Sequence, residues 1–451
     1  MAIAFDASSN NGEAASVSST TFSHTVGASL SNGILLVPVT TRNAAGNANL
    51  DGMVTGVTYA GTALTKLQIS EYTAATPVKG ELWYLVNPTS GANNVIVSTV
   101  GTTSFLDAGA SSFSGVDQAM PIVNSIGNNA AGDDPSLSVE TIVDNAWTID
   151  AIYHKWAAAM TIDGNRTQEY QLTPNSAGDA DASGTYRGIA TAANTSHQWT
   201  TGGSDDYGWV IGALRPAGVY SSGIDITSES KARGSGSSRT WSHTVPSGFS
   251  NTILIVGTNA QDSNHANFPI TGVTFNSVAL TKVRSDEAAG NNRTELWYLV
   301  NPNVTTADIV VTATGTLGEL QGFALTFCNV DQASPIDANN GGSGTSGSPS
   351  VTLTTVANGA WSVAVCSSEE RYIGYGTQAL RAGGAATDQT YENGTIATKY
   401  IATAAATALG FKVLSSQSYA ESCLSLKPST GAAAGIRSLR QIIGHGQGTR
   451  T

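Results

Sequence analysis

The chain predicts an all-β protein of two tandem antiparallel β-sandwiches of jelly-roll-like type, and three observations carry that expectation. Residues 1–216 and 219–428 repeat one another in blocks. Thr55-Gly-Val-Thr-Tyr-Ala-Gly-Thr-Ala-Leu-Thr-Lys66 returns as Thr271-Gly-Val-Thr-Phe-Asn-Ser-Val-Ala-Leu-Thr-Lys282, and Glu81-Leu-Trp-Tyr-Leu-Val-Asn-Pro88 returns letter for letter as Glu295 to Pro302. A repeat of this length is a whole domain, because solenoid and propeller units recur every ~20–50 residues. Only 12% of residues are charged and 49 are glycine, a composition suited to short strands and turns rather than helices.

The elements follow in order. Phe22-Ser-His-Thr-Val26 reappears as Trp241 to Val245, and Ile34-Leu-Leu-Val-Pro-Val39 aligns with Ile253 to Val256. Val57-Thr-Tyr59 and Ala63-Leu-Thr-Lys66 flank Ala60-Gly61-Thr62, a compact hairpin signal whose counterpart turn is Asn276-Ser277. Leu82 to Val86 is an aromatic and β-branched strand ended by Asn87-Pro88, since proline removes a ladder donor. Val95 to Val97 and Ile309 to Val311 follow. Asn128 to Ser136 and the Gly/Ser-rich Asn339 to Ser350 read as loops. Trp147, Ile149, Ala151 and Tyr153 alternate onto one face, and Trp361, Val363 and Val365 keep that phase. Ile189 to Asn194 and Ile401 to Thr407 read as small-residue strands. Gly208 to Pro216 and Ser422 to Pro428 close the two copies, so about eight to ten strands per copy are expected. Pro216 to Tyr220 is too short for a free tether, which predicts two sandwiches at a nearly fixed angle. Residues 429–451 are a Gly/Ala-rich linker followed by a short basic and apolar tail.

Charge narrows the function classes. The formal net charge is −12, with seven basic against 18 acidic side chains in residues 1–216 and 11 against 15 in residues 217–428. An acidic body argues against nucleic-acid binding, which needs a basic face. Cys328, Cys366 and Cys423 all lie in the second copy within apolar runs, an odd count that reads as buried thiols rather than a disulfide framework. The N-terminus lacks a basic n-region with an apolar stretch of signal length, and no window approaches the ~18 apolar residues of a membrane span. A chain outside the membrane and outside the usual secretory route is therefore expected.

Chemistry-bearing residues are sparse, and no clustered acid, base, nucleophile or metal-ligand set recurs in both copies. Asp133-Asp134 and Asp205-Asp206 are candidate Ca²⁺ ligands, but neither has an acidic equivalent in the second copy, and solvated turn aspartates are expected. His24 and His243 are the histidines retained between the copies, each expected as a strand histidine making one hydrogen bond. Asp117-Gln118 and Asp331-Gln332 are expected to tie a turn to neighbouring amides. Trp83, Trp147, Trp297 and Trp361 recur and read as core. Trp156, Trp199 and Trp209 belong to the first copy alone and are the candidate carbohydrate-stacking surface.

The blocks Thr-Gly-Val-Thr-Tyr…Ala-Leu-Thr-Lys, Glu-Leu-Trp-Tyr-Leu-Val-Asn-Pro and Phe-Ser-Gly-Val-Asp-Gln resemble β-sandwich modules of tailed-bacteriophage structural proteins, with similar modules in large bacterial surface proteins. The resemblance covers both copies but not the tail. It implies a non-catalytic virion component without a cofactor: a capsid decoration, a head fibre or a tail-associated protein. Such a protein would sit on the outside of the particle, reached from the host cytoplasm during assembly. Its expected partners are other virion proteins (capsid or tail subunits), a homo-oligomer and a cell-surface glycan, without nucleic acid or membrane. Arg437, Arg440 and Arg450, with Leu439, Ile442 and Ile443, are the candidate docking residues, charge steering the encounter and the apolar side chains supplying buried area. The other reading is a carbohydrate-binding adhesin or surface module.

Overall fold

The computed structural model describes residues 2–12, 14–42, 54–72, 78–155, 160–172, 181–262, 269–288, 292–369, 372–374, 378–381 and 394–429. Among them every regular element is a strand, and the ladders are antiparallel. The all-β expectation is met, but each half holds more strands and more layers than a simple two-sheet sandwich.

In the first half, Thr65–Tyr72, Val78–Val86, Ile34–Arg42 and Gly91–Ser114 lie side by side in one sheet. That sheet packs on a five-stranded sheet of Thr167–Leu172, Asp181–Ile189, Ala146–His154, Asp205–Leu214 and Ile122–Gly132. Ile34, Leu36, Leu82, Phe113, Ile149 and Val210 fill the space between them. Each sheet is then covered on its other face. The strand Gly91–Ser114 bends at Gly101 (φ 61°), so its first part leaves the main sheet to pair with Ala15–Val26 and Val54–Tyr59. The second core beneath that cover holds Val37, Tyr59, Trp83 and Val97. A three-stranded sheet of Ser136–Glu140, Asn194–Thr200 and Thr161–Ile162 covers the far side, over Val139, Ile152, Trp199 and Trp209. Burying three apolar layers at roughly 25 cal/mol per Å² is what lets so polar a composition fold.

The second half has the same main-sheet order, Thr281–Glu287, Asn292–Val300, Ile253–Gln261 and Thr305–Cys328, packed on Ile336–Ser346, Gln417–Leu426, Ala360–Ser368, Gly394–Ile401 and Ala379–Leu380. Here the two opening strands are fused into Asp225–Val245, which turns at Gly236 (φ 129°). Turn chemistry follows the sequence. Ala60 (φ 49°) and Gly61 (φ 78°), like Asn276 (47°) and Ser277 (64°), both sit left-handed, as a two-residue type I′ hairpin requires. Asn87 (49°) and Asn301 (47°) do the same immediately before the prolines.

The block that recurs letter for letter has a physical core. Glu81 is fully buried, accepts from the Trp83 indole at 2.9 Å and pairs with Lys66 at 3.7 Å, while Lys66 lies over the Trp83 ring at 5.1 Å. Glu295 and Lys282 repeat the ion pair at 2.9 Å, and Lys282 again lies over the indole, 4.7 Å from the Trp297 centroid. Each carboxylate needs both its lysine and its place in the strand, so Glu-x-Trp and Leu-Thr-Lys travel together.

Three expectations are corrected. Asn128 to Ser136 and Asn339 to Ser350 are largely strand, within Ile122–Gly132 and Ile336–Ser346. Their glycines serve close packing: a Cβ on Gly341 would lie 2.1 Å from an Asp286 carboxyl oxygen, and one on Gly127 would lie 3.1 Å from the Ile69 carbonyl. Ile189 to Asn194 and Ile401 to Thr407 are strand ends joined by turns rather than strands. Side-chain acceptors hold those turns, Asp144 taking the Ala192 amide and Asn358 the Ala404 amide, each at 2.8 Å. Trp147 is half-buried rather than core, stacked on Tyr186 with centroids 5.4 Å apart, whereas Trp83, Trp297 and Trp361 are buried.

Candidate functional site

The recurring polar residues point inward. His24 is buried, with Nδ1 2.9 Å from the Ser9 hydroxyl and Nε2 3.1 Å from the Ser112 hydroxyl, which itself donates to Asp6 at 2.6 Å. His243 repeats this between Ser230 and Thr326, both at 2.8 Å. Each ring therefore bonds on both nitrogens, one bond more than expected. Burial pushes both imidazoles down to about 4, so they are neutral near pH 7. A neutral ring clamped between strand hydroxyls braces the fold where the opening strands cross the long bent strand.

The Asp-Gln motif ties turns as expected. Asp117 Oδ1 accepts the amides of Ala119 (3.0 Å) and Met120 (2.9 Å), and Asp331 Oδ1 accepts those of Ala333 and Ser334, both at 2.9 Å. Asp117 has a second task. Its Oδ2 accepts the Gly218 amide and the Tyr220 hydroxyl, each at 3.2 Å, gripping the segment between the halves. Beside it the buried Arg215 makes a bidentate pair with the buried Asp225 at 2.6 and 2.7 Å, donates to the carbonyls of Met120 and Val219, and lies over the Tyr220 ring at 4.6 Å. Farther along, Arg381 donates to the carbonyls of Ile122 (3.0 Å) and Val123 (2.6 Å) across the halves. The strand Tyr372–Gly374 continues the first half's main sheet by pairing with Ser70. These contacts join the two halves to one another.

Trp199 and Trp209 do not form a stacking surface. Both rings are fully buried, and their indole nitrogens donate to Asp150 Oδ2 at 3.2 and 3.1 Å. The same oxygen takes Arg166 at 2.7 Å, while Asp150 Oδ1 accepts the amide of Thr185 at 2.9 Å and its hydroxyl at 2.5 Å. Arg166 also lies over the Trp199 ring at 4.6 Å. The buried carboxylate draws both indoles inward. Trp156 lies outside the described residues, as do Arg437, Leu439, Arg440, Ile442, Ile443 and Arg450.

The two acidic pairs meet at one end of the first half, because Asp205 sits opposite Gly132 in the ladder. Lys155 answers them at 3.2 Å from Asp205 and 3.8 Å from Asp206, and Asp134 accepts the Thr201 amide at 2.8 Å. Among the described residues no group of three or more His, Cys, Asp or Glu side chains is placed to hold a metal ion. The three cysteines are free and buried. Burial pushes Cys328 and Cys423 up to about 12 and raises Cys366 as well, which suppresses thiolate chemistry.

One cleft of about 390 Å³ lies on the seam between the halves. Ser70 and Asn129 come from the first half, and Ser348, Ser350, Phe411 and Lys412 from the second. Lys412 donates to Asn129 Oδ1 at 2.7 Å, and Asn129 Nδ2 donates to the Ser70 hydroxyl at 3.2 Å. None of these residues stood out in the sequence, because the cleft is assembled from segments far apart in the chain. No protein-family model, curated protein or solved structure matches this chain.

Proposed function

We propose that this chain is a non-catalytic structural component of a tailed-bacteriophage particle, a capsid decoration, head fibre or tail-associated protein that attaches through residues 429–451. The observation that carries the reading is the pinned junction. Arg215, Asp225 and Asp117 hold the segment between the halves by hydrogen bonds to backbone and side chain alike. A body with no free hinge suits a spacer or decoration, which must hold a set distance and angle from its support. The recurring histidines, acids and tryptophans are spent on bracing strands and turns, in keeping with a role in shape. Net acidity favours solubility and keeps copies apart until a specific contact forms. The basic and apolar tail supplies charge steering and buried area for that contact.

Deleting residues 431–451 tests the proposal. Thermal unfolding of the body should be unchanged, while incorporation into particles, followed with antibody raised against residues 219–428, should be lost. Unchanged incorporation, or labelling of cell envelopes instead of particles, would overturn it.

A further inference from the structure

We propose that the cleft between the halves is a binding site for a carboxylate-bearing sugar, a uronic or sialic acid unit, held by Lys412 with the amide of Asn129 and the hydroxyls of Ser348 and Ser350. This goes beyond the attachment role and stands without it. Volume comes first: about 390 Å³ falls within the range of small-molecule sites and matches one or two sugar rings. Charge comes second. The chain carries −12 overall, yet this cleft is lined by one lysine and no aspartate or glutamate. Lys412 is half-buried, and its hydrogen-bond partner is the neutral Asn129 oxygen at 2.7 Å. The acid that acts on it electrostatically, Glu71, is itself buried and engaged by Lys79 at 3.6 Å. An ammonium group held by an amide keeps donors for a ligand carboxylate, and such charge-assisted bonds are among the strongest available.

The rest of the lining selects a sugar over a bare anion. Ser348 and Ser350 are exposed and present hydroxyls, while Gly374 and Gly410 line the wall without side chains. Phe411 and Pro349 add apolar, largely buried side chains to the lining. The acidic body opposes polyanions such as nucleic acid or a densely sulfated chain, so a singly charged ring fits best.

The test titrates the full chain, at fixed ionic strength, with glucuronate, galacturonate, N-acetylneuraminate, glucose and acetate, followed by calorimetry or amide chemical shifts. At least one acidic sugar should bind saturably and about tenfold tighter than glucose or acetate. Lys412→Gln should bring it to the level of glucose. Ala408→Trp, a substitution at an exposed lining residue, should block the cleft while leaving thermal unfolding unchanged; it decides the matter if Lys412→Gln fails to fold. No saturable binding of any acidic sugar, equal binding of glucose or acetate, or binding retained in Ala408→Trp would overturn the proposal.

Discussion

The covered face of the five-stranded sheet is built with opposite chemistry in the two halves. In the first, Asp150 stands opposite Ile211 and Ile152 opposite Trp209; in the second, Ala364 stands opposite Cys423 and Cys366 opposite Glu421. The carboxyl group has moved from the central strand to its neighbour, into the place that Trp209 occupies. Asp150 is ringed by an arginine, two indoles, a hydroxyl and an amide. Glu421 is just as buried, yet neither of its oxygens has a hydrogen-bond partner, and burial with the nearby Asp286 pushes it up to about 9. A buried charge persists where donors surround it; without them the group keeps its proton. One scaffold thus accommodates a paired anion in one half and a neutral acid in the other.

Breaking the paired node should have the largest effect. Asp150→Ala leaves the Arg166 guanidinium and both indole N–H groups buried without their acceptor. A loss of about 3–5 kcal/mol in urea or guanidinium unfolding is expected. A loss below about 1 kcal/mol would mean that Arg166 is satisfied by Asp163 and the Gln198 carbonyl, which it already contacts.

The unpaired acid should behave the other way. Because the folded pKa of Glu421 lies above its ordinary value, stability from this group is fully present below about pH 4.5 and is lost as pH rises towards 9. At pH 7 the unfolded chain is ionised while the folded one is protonated, a difference of about 3 kcal/mol against folding. Glu421→Gln should therefore stabilise by up to about 3 kcal/mol at pH 7 and by little at pH 4.5. The same change at both pH values would show that the carboxyl is ionised in the fold and that its environment is more polar than its contacts indicate.

How much of this was legible in the sequence differs by scale. Strand alternation and the Asn and Gly turns were readable because they act locally: Asn87, Asn276, Asn301 and Gly61 sit in the left-handed backbone their residue types favour. The Gly- and Ser-rich stretches misled, since glycine signals a loop whether it supplies a positive φ or makes room for a neighbour. At Gly341 it makes room for Arg284 and Asp286. Trp199 carried a missed signal: Thr195, His197 and Trp199 alternate inward through Asn194–Thr200, which already places the indole beneath the cover sheet. The Asp150 node and the cleft were not legible, because their partners converge from several distant strands and leave no local spacing.

The smallest expected effect separates two buried histidines by their partners. His243 bonds Ser230 and Thr326, while neither nitrogen of the equally buried His197 has a hydrogen-bond partner. Burial pushes both rings down to about 4. With folded values below the ordinary 6.5, the stability each contributes is present above about pH 6.5 and is lost as pH falls towards 4. His243→Phe should cost about 1–3 kcal/mol at pH 7, because two strand hydroxyls lose their partner. His197→Leu should be near neutral at pH 7 and should stabilise by about 2 kcal/mol at pH 5, where the unfolded ring is mostly charged. Equal losses from the two substitutions at pH 7 would mean that ring packing, rather than hydrogen bonding, keeps histidine in the interior of this sheet stack.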